Sequence, residues 1–222
     1  MKKIFALFIT VLGLSVLSAC GLNEQQQILQ DRIDAYAESN NYTVDFDQFE
    51  NVSDQVMNVT IRYFGNHANI QVFWQWDERT EENDMYIIDE GGHYTVMTNF
   101  EGERDVLRNV DKDNFTGSIN DLRLLQVIEP NNFNPRWFSY NDGQYVLRSR
   151  SVEDFFEEAF MGRIDLDEIS NASFVLTLLE DGMTMTLTFD EGDYEFEMVM
   201  TIHAFDETVF EIPDKDEYED EE

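Results

Sequence analysis

The chain has 222 residues, 42% of them hydrophobic, and sets 14 Lys and Arg against 47 Asp and Glu for a formal net charge of −33. That supplies apolar matter for the core of one domain, two at most. So acidic a balance excludes nucleic acid as a partner, because phosphates are repelled, and it holds the body of the protein off anionic lipid headgroups.

The N-terminus opens with Lys2 and Lys3, followed by an apolar run from Ile4 to Val16. The run has the length of a secretory apolar region and is too short to span a membrane comfortably. Leu17-Ser18-Ala19-Cys20 comes next, and Cys20 is the single cysteine of the chain. This stretch resembles the lipobox of bacterial lipoproteins, in which the cysteine becomes the first mature residue. The resemblance implies a lipoprotein signal peptide over residues 1–19, a diacylglyceryl thioether on Cys20 and a place on the extracytoplasmic face of a cell membrane. The acidic chain favours a Gram-positive envelope. Two acyl chains, at about 0.8 kcal/mol per buried methylene, hold where one is marginal. Loss of residues 1–19 leaves 12 basic against 47 acidic residues, a balance of −35. With no second cysteine an internal disulfide cannot form, so stability rests on packing. No thiolate is left as metal ligand or nucleophile once Cys20 carries lipid.

Glu24 to Ser39 reads as a helix: Ile28, Leu29, Ile33, Tyr36 and Ala37 recur at helical spacing, and Asn40-Asn41 stops it. From Tyr42 the period changes to 2. Tyr42, Val44 and Phe46 alternate with polar residues. So do Met57, Val59, Ile61 and Tyr63, and then Ile70, Val72, Trp74 and Trp76. This is the pattern of antiparallel strands with one buried face. Gly65-Asn66 and the polar run Asp77 to Asp84 read as breaks. Met85–Asp89 and Tyr94–Phe100 flank a hairpin turn at Glu90-Gly91-Gly92-His93. Glu101 to Asn120 reads as a short strand and loop, and Asp121 to Ile128 as one or two helical turns closed by Glu129-Pro130. Asn131 to Tyr140 reads as loop, Asn141-Asp142-Gly143 as a turn, and Tyr145–Arg148 as a short strand. Ser151 to Asp154 predicts a capping-box start to a second helix, whose apolar face is Phe155, Phe156, Ala159 and Phe160 and which ends at Gly162. Phe174–Leu178, the Asp181-Gly182 turn, Met183–Phe189 and Tyr194–Ile202 form the clearest strand block. Thr208–Ile212 is expected as a last strand before Pro213, and residues 214–222 as a disordered acidic tail. Residues 20–213 then form one α+β domain.

The residues give little support to catalysis. His67, His93 and His203 are isolated in sequence, and no zinc-protease, nucleophile-elbow or phosphate-loop motif is present. A hydrolase would need a triad assembled from distant residues. Asp111-Lys112-Asp113-Asn114 and Asp165-Leu166-Asp167-Glu168 are the best metal candidates, and neither places the glycine and closing glutamate of a calcium loop. They read as solvated surface, so no metal, cofactor or catalytic residue is assigned. The informative feature is the apolar face of the sheet, rich in Met, Trp and Phe, a composition found at adaptable binding surfaces as well as in cores. Some nine strands at about 4.8 Å each make a sheet roughly 43 Å wide. Such a sheet tends to curl. Two or three helices, each about 10 Å across, cover roughly 30 Å of it.

A lipidated cysteine comes first, then at once a helix, a run of antiparallel strands, mid-chain helices and a closing block of hairpins. Met85-Tyr86-Ile87-Ile88-Asp89 precedes the Gly91-Gly92 turn, and Ile212-Pro213 ends the block. From Gln25 to Pro213 this order resembles the LolA/LolB and LppX-like lipoprotein group. The resemblance implies a curled antiparallel sheet, an unclosed half-barrel, with helices as a lid over an apolar concave face, and binding of a lipid or acyl chain. It assigns no ligand residue by position. The expectation is therefore a non-catalytic module, anchored in the membrane through Cys20, whose apolar ligand lies against Trp74, Trp76, Met185, Phe196, Met198 and Met200. The alternative is a structural lipoprotein with a filled core that binds a cell-envelope protein through its acidic surface. Salt separates the two, because electrostatic contacts are screened and apolar ones are not.

Overall fold

The structure is a computed structural model that describes residues 21–50, 55–76, 79–112, 132–159, 167 and 169–220. Cys20, the segment Asp121–Ile128 and Gly162 lie outside the described residues, as do residues 165, 166 and 168 of the acidic candidate near Asp167. Asn23 caps helix α1 (Glu24–Glu38) through a reciprocal pair. The Gln26 N–H donates to the Asn23 side chain at 2.9 Å, and the Asn23 N–H donates to the Gln26 side chain at 3.1 Å. Two of the orphan donors at the helix start are satisfied in this way. Leu29, Ile33 and Tyr36 form its buried stripe. The Arg32 guanidinium ties the helix to the sheet by donating to the carbonyls of Gly182 (2.8 Å) and Glu180 (3.3 Å).

The chain then builds one large antiparallel sheet. Its strands are β1 (Asn41–Glu50), β2 (Gln55–Phe64), β3 (His67–Trp76), β4 (Arg79–Asp89), β5 (His93–Phe100), β6 (Glu103–Asp111), β7 (Phe138–Asn141), β8 (Gln144–Leu147), β9 (Ser170–Leu178), β10 (Met183–Glu191), β11 (Tyr194–His203) and β12 (Glu219–Asp220). Their order is β12-β6-β5-β4-β3-β2-β1-β11-β10-β9-β8-β7. The two ends do not pair, so the curled sheet stays an unclosed barrel. The first eleven strands are antiparallel to their neighbours, and β12 alone runs parallel, to β6. β1 pairs on one side with β2 and on the other with β11, from Thr43 opposite His203 to Glu50 opposite Phe196.

The alternation read from the sequence sets the faces. Tyr42, Val44 and Phe46 join Val59, Ile61, Ile70, Met183, Met185, Met200 and Ile202 in one core with the α1 stripe. Phe133, Trp137, Phe138, Phe155 and Phe156 complete it at the β7–β9 side.

Five expectations need correction. The polar run Asp77–Asp84 is largely strand: β4 begins at Arg79 and pairs with β3 as far as Trp76. Alternation fails there because Glu81 and Asn83 lie on a stretch of the core face that is not fully covered. Nor is Asn131–Tyr140 all loop. Asn134 caps a 3₁₀ turn at Pro135–Trp137, and Phe138 enters β7, an edge strand next to the prolines. Ser151 makes no capping hydrogen bond. A 3₁₀ turn (Ser149–Ser151) runs into a short helix α2 (Val152–Asp154) and a π-helical turn (Phe155–Ala159), which seats Phe155 and Phe156 in the core.

The last two corrections concern the C-terminus. Thr208–Ile212 is not a strand, and the segment 214–222 is ordered as far as it is described. After β11 the chain crosses the outer face of the sheet as a strap. The Asp206 N–H donates to the Asn41 carbonyl at 2.7 Å, and the Thr208 and Thr43 hydroxyls pair at 2.9 Å. Phe210 meets Tyr86 with ring centroids 6.4 Å apart. Tyr218 packs on a second apolar cluster of Ile88, Met97 and Val106. The alternation of Thr208–Ile212 turns Thr208 and Phe210 toward the sheet without a strand ladder, and Val209 is 75% exposed.

Turn chemistry follows the sequence closely. Asp142 and Gly143 both adopt positive φ (47° and 88°), the signature of a type I′ hairpin between β7 and β8. Gly182 serves differently: a Cβ there would lie 2.1 Å from the backbone carbonyl oxygen of Ile202. Gly182→Ala should therefore push β10 off β11 and lower stability by about 1–3 kcal/mol, the usual cost of overpacking, seen as a fall in the thermal unfolding midpoint. An unchanged midpoint would show that the close approach carries no energetic weight.

Candidate functional site

The core face of the sheet is unevenly covered. On β8–β11 and on the neighbouring half of β1 it is closed: Leu176, Leu187, Met183 and Ile202 are buried with Phe174 and Tyr145. Across β2–β5 the same face is only partly covered. Met57, Val72, Met85 and Tyr94 pack against the core with part of their surface in solvent. Register places them in line: Met57 opposite Trp74, Val59 opposite Val72, and Ile70 opposite Met85. Trp74 is 38% exposed, and Phe100, opposite Asn83 in the next row, is 51% exposed. Bulges at Tyr94/Val96 and Thr188/Asp190 interrupt the ladders on either side, and bulges bend a strand.

The residues singled out from the sequence divide between these two regions. Met185 and Met200 pair across β10 and β11 and are 2% and 1% exposed, inside the closed part. Met198 is partly buried against the core. Phe196 stacks on Phe189 with centroids 4.5 Å apart, at the margin. Trp74 lies in the open part, and the side chain of Trp76 lies outside the described residues. Met57, Val72, Met85 and Phe100 are not among the residues singled out from the sequence, although the period-2 pattern puts the first two on this face.

Charged groups sit at the rim. Lys112 pairs with Asp89 at 2.5 Å and stands over the Tyr94 ring at 4.9 Å. The hydrogen bond from Lys112, with a second from the Gly91 N–H, holds the Asp89 carboxyl below the usual carboxylate range. Burial raises the Tyr145 phenol, which donates to Gln25 of α1 at 3.2 Å. A separate cleft of about 510 Å³ beside the C-terminal end of α1 is lined by Arg32, Glu38, Glu180, Asp181, Phe205 and Asp206. Five of its nine lining residues are charged, so it suits a polar occupant better than an acyl chain.

The histidines do not converge. The His67 Nδ1 accepts from the Asp89 N–H at 3.0 Å, His93 lies 3.2 Å from Glu90, and the His203 Nε2 lies 2.7 Å from Asp45. At His203 the Thr60 hydroxyl donates to Asp45 itself, at 2.7 Å, and not to the imidazole. A nucleophile relay needs the reverse order. Among the described residues no group of three or more His, Cys, Asp or Glu side chains is placed to hold a metal ion, and no helix is long and apolar enough to cross a membrane.

No family model matches the chain, and no curated protein matches it. The site must therefore be read from its own geometry.

Two measurements check that geometry. Met200→Ala should cost about 2–5 kcal/mol in denaturant unfolding, the range for buried large-to-small changes, whereas Trp74→Ala at the open end should cost much less. Equal losses would mean that the open end is as tightly packed as the centre. The second is acid titration. Since the folded Asp89 pKa is depressed, its pairing stabilises above the ordinary carboxyl value of 3.8 and is lost as pH falls through the lower folded value. Lys112→Met should flatten the acid dependence of amide protection at the β4–β5 turn, and an unaltered profile would remove the pair from the rim's energetics.

Proposed function

We propose that the protein is a membrane-anchored exported lipoprotein, lipidated on Cys20, and a non-catalytic binding module for an apolar ligand such as a lipid acyl chain. The observation that carries this reading is the uneven cover of the core face. A wide unclosed sheet leaves Met57, Val72, Trp74, Met85 and Phe100 in partial contact with solvent, next to a closed core. An apolar surface of this kind gains free energy on being covered, at about 25 cal/mol per Å² removed from water. Met side chains adapt to ligands of variable shape. The ligand row thus shifts toward β2–β5 from the one expected, keeping Trp74 and bordered by Phe196 and Met198. Met185 and Met200 serve as its packed floor. Helix α1 and the segment around Phe155 act as the partial lid.

A second reading is a structural lipoprotein with a filled core that meets a cell-envelope protein through its acidic exterior. Its support is the complete burial of Met185 and Met200 by the chain itself.

Mass spectrometry separates the two. The chain extracted from its host membrane should begin at Cys20 and carry a diacylglyceryl mass. Under native conditions the body should retain a further lipid that organic extraction releases. Val72→Trp, which fills the open row, should cut uptake of a fluorescent fatty acid at least tenfold with little change in the unfolding midpoint. A clean apo mass with no fatty-acid uptake would overturn the apolar-ligand reading and leave the filled-core one.

A further inference from the structure

Resting on the reading of the open row as an apolar-ligand site, we propose that its ligand is an amphiphile with a cationic head, a long-chain primary ammonium. Glu81 and Asn83 are the residues that select that head. Both break the apolar run on this face. Register sets Glu81 opposite Trp74, and Asn83 between Val72 on β3 and Phe100 on β5. Two residues apart on one face of a strand, Glu81 and Asn83 stand about 7 Å apart. One nitrogen spans that gap with two hydrogen bonds of about 2.9 Å.

The partners these two residues lack decide the head. The Asn83 Oδ1 is withdrawn from water and accepts no hydrogen bond. Such an oxygen is unfavourable until a donor reaches it. Asn83 as a whole is only half-buried, and the broad terminal torsion of its side chain lets the amide turn that oxygen to the row. Among the described residues the half-buried Glu81 side chain has neither a hydrogen bond nor an ion pair. A carboxylate and an amide oxygen both accept, and an ammonium has three donors and no acceptor. An ammonium therefore satisfies both and neutralises Glu81.

A carboxylate or phosphate head brings acceptors and negative charge to the same place. Glu103, opposite Phe100 on the far side from Asn83, adds a second acid against it. Lys112, a basic group at this rim, is held by Asp89 at the last position of β4 and by the Tyr94 ring. The exposed rings of Trp74 and Phe100 border the head on either side, and aromatic faces attract cations. Met57, Val72 and Met85 give the chain of the ligand its apolar bed.

The test titrates the full mature chain by calorimetry with dodecylammonium, dodecanoate and monododecanoylglycerol, each below its micelle concentration. Dodecylammonium should bind at least tenfold tighter than either of the others. Glu81→Gln and Asn83→Leu should each weaken dodecylammonium at least fivefold and leave the glycerol ester unchanged. Glu81→Gln is nearly isosteric and removes one charge from a balance of −33, so general attraction to an acidic surface would not register it. Equal affinity for the three heads overturns the proposal, as does a preference for dodecylammonium that survives both variants. In either case the apolar-ligand reading stands. Binding of none of the three overturns that reading and this one together.

Discussion

The architecture depends on the ladder between β1 and β11. Nearly every other antiparallel pairing in the sheet joins neighbours in sequence through a short turn or loop, so two meanders, β1–β6 and β7–β11, account for most of the strands. The β1–β11 pairing joins them, bringing Asn41–Glu50 beside Tyr194–His203 from the far end of the domain. Closing so long a loop costs entropy before any contact is gained. The side chains around the ladder offset that cost: Val44, Phe46, Met200, Ile202, Met183 and Met185 form the centre of the core. Helix α1 lies over this junction, with Tyr36 edge-on to Tyr42 at 5.3 Å and Arg32 held by the carbonyl of Gly182. Gly182 in turn lets β10 approach β11 closely enough for the ladder to form.

The same arrangement explains why cover is uneven. α1 has one buried stripe and lies over the junction. The aromatic group of Phe133, Trp137, Phe138 and Phe155 packs with Phe174 over the β7–β9 side, with edge-on and stacked contacts among the rings. Little of either reaches Val72, Trp74 and Met85. An apolar face left in this state in a folded protein is a place where binding is favourable. The outer face is treated differently. Its polar alternation includes one small apolar cluster at Ile88, Met97 and Val106, and the C-terminal strap covers that cluster and pairs with Asp105 and Val106 of the adjoining edge strand.

Much of the fold was legible in the sequence wherever a strand faces a fully covered surface. Tyr42-Val44-Phe46 and Met183-Met185-Leu187 alternate because every second residue is buried. The turns were legible because Asp142-Gly143 and Gly91-Gly92 are residue types chosen for their backbone. The failures have physical causes. β4 looked like a break because Glu81 and Asn83 interrupt the apolar alternation on an incompletely covered stretch of the face. Thr208–Ile212 looked like a strand because alternation is silent about whether a neighbouring strand is available. Residues 214–220 looked unfolded because composition does not register Arg104 or the apolar cluster of Ile88, Met97 and Val106 on a distant part of the sheet.

The sequence by itself determined the period-2 strands, the first helix and its buried stripe, the hairpin turns, and the lipobox-like stretch that ends at Cys20. These are local properties, set by backbone preference and by the spacing of apolar residues. Only the tertiary structure decided which part of the apolar face is filled and which is left open, and that the C-terminal segment packs Tyr218 on the outer face beside β6. Those outcomes depend on where one helix, one aromatic cluster and one strap come to rest on a sheet wider than they are. Met200 and Val72 carry the same periodic signal, and only the packing above each separates a buried residue from a partly exposed one.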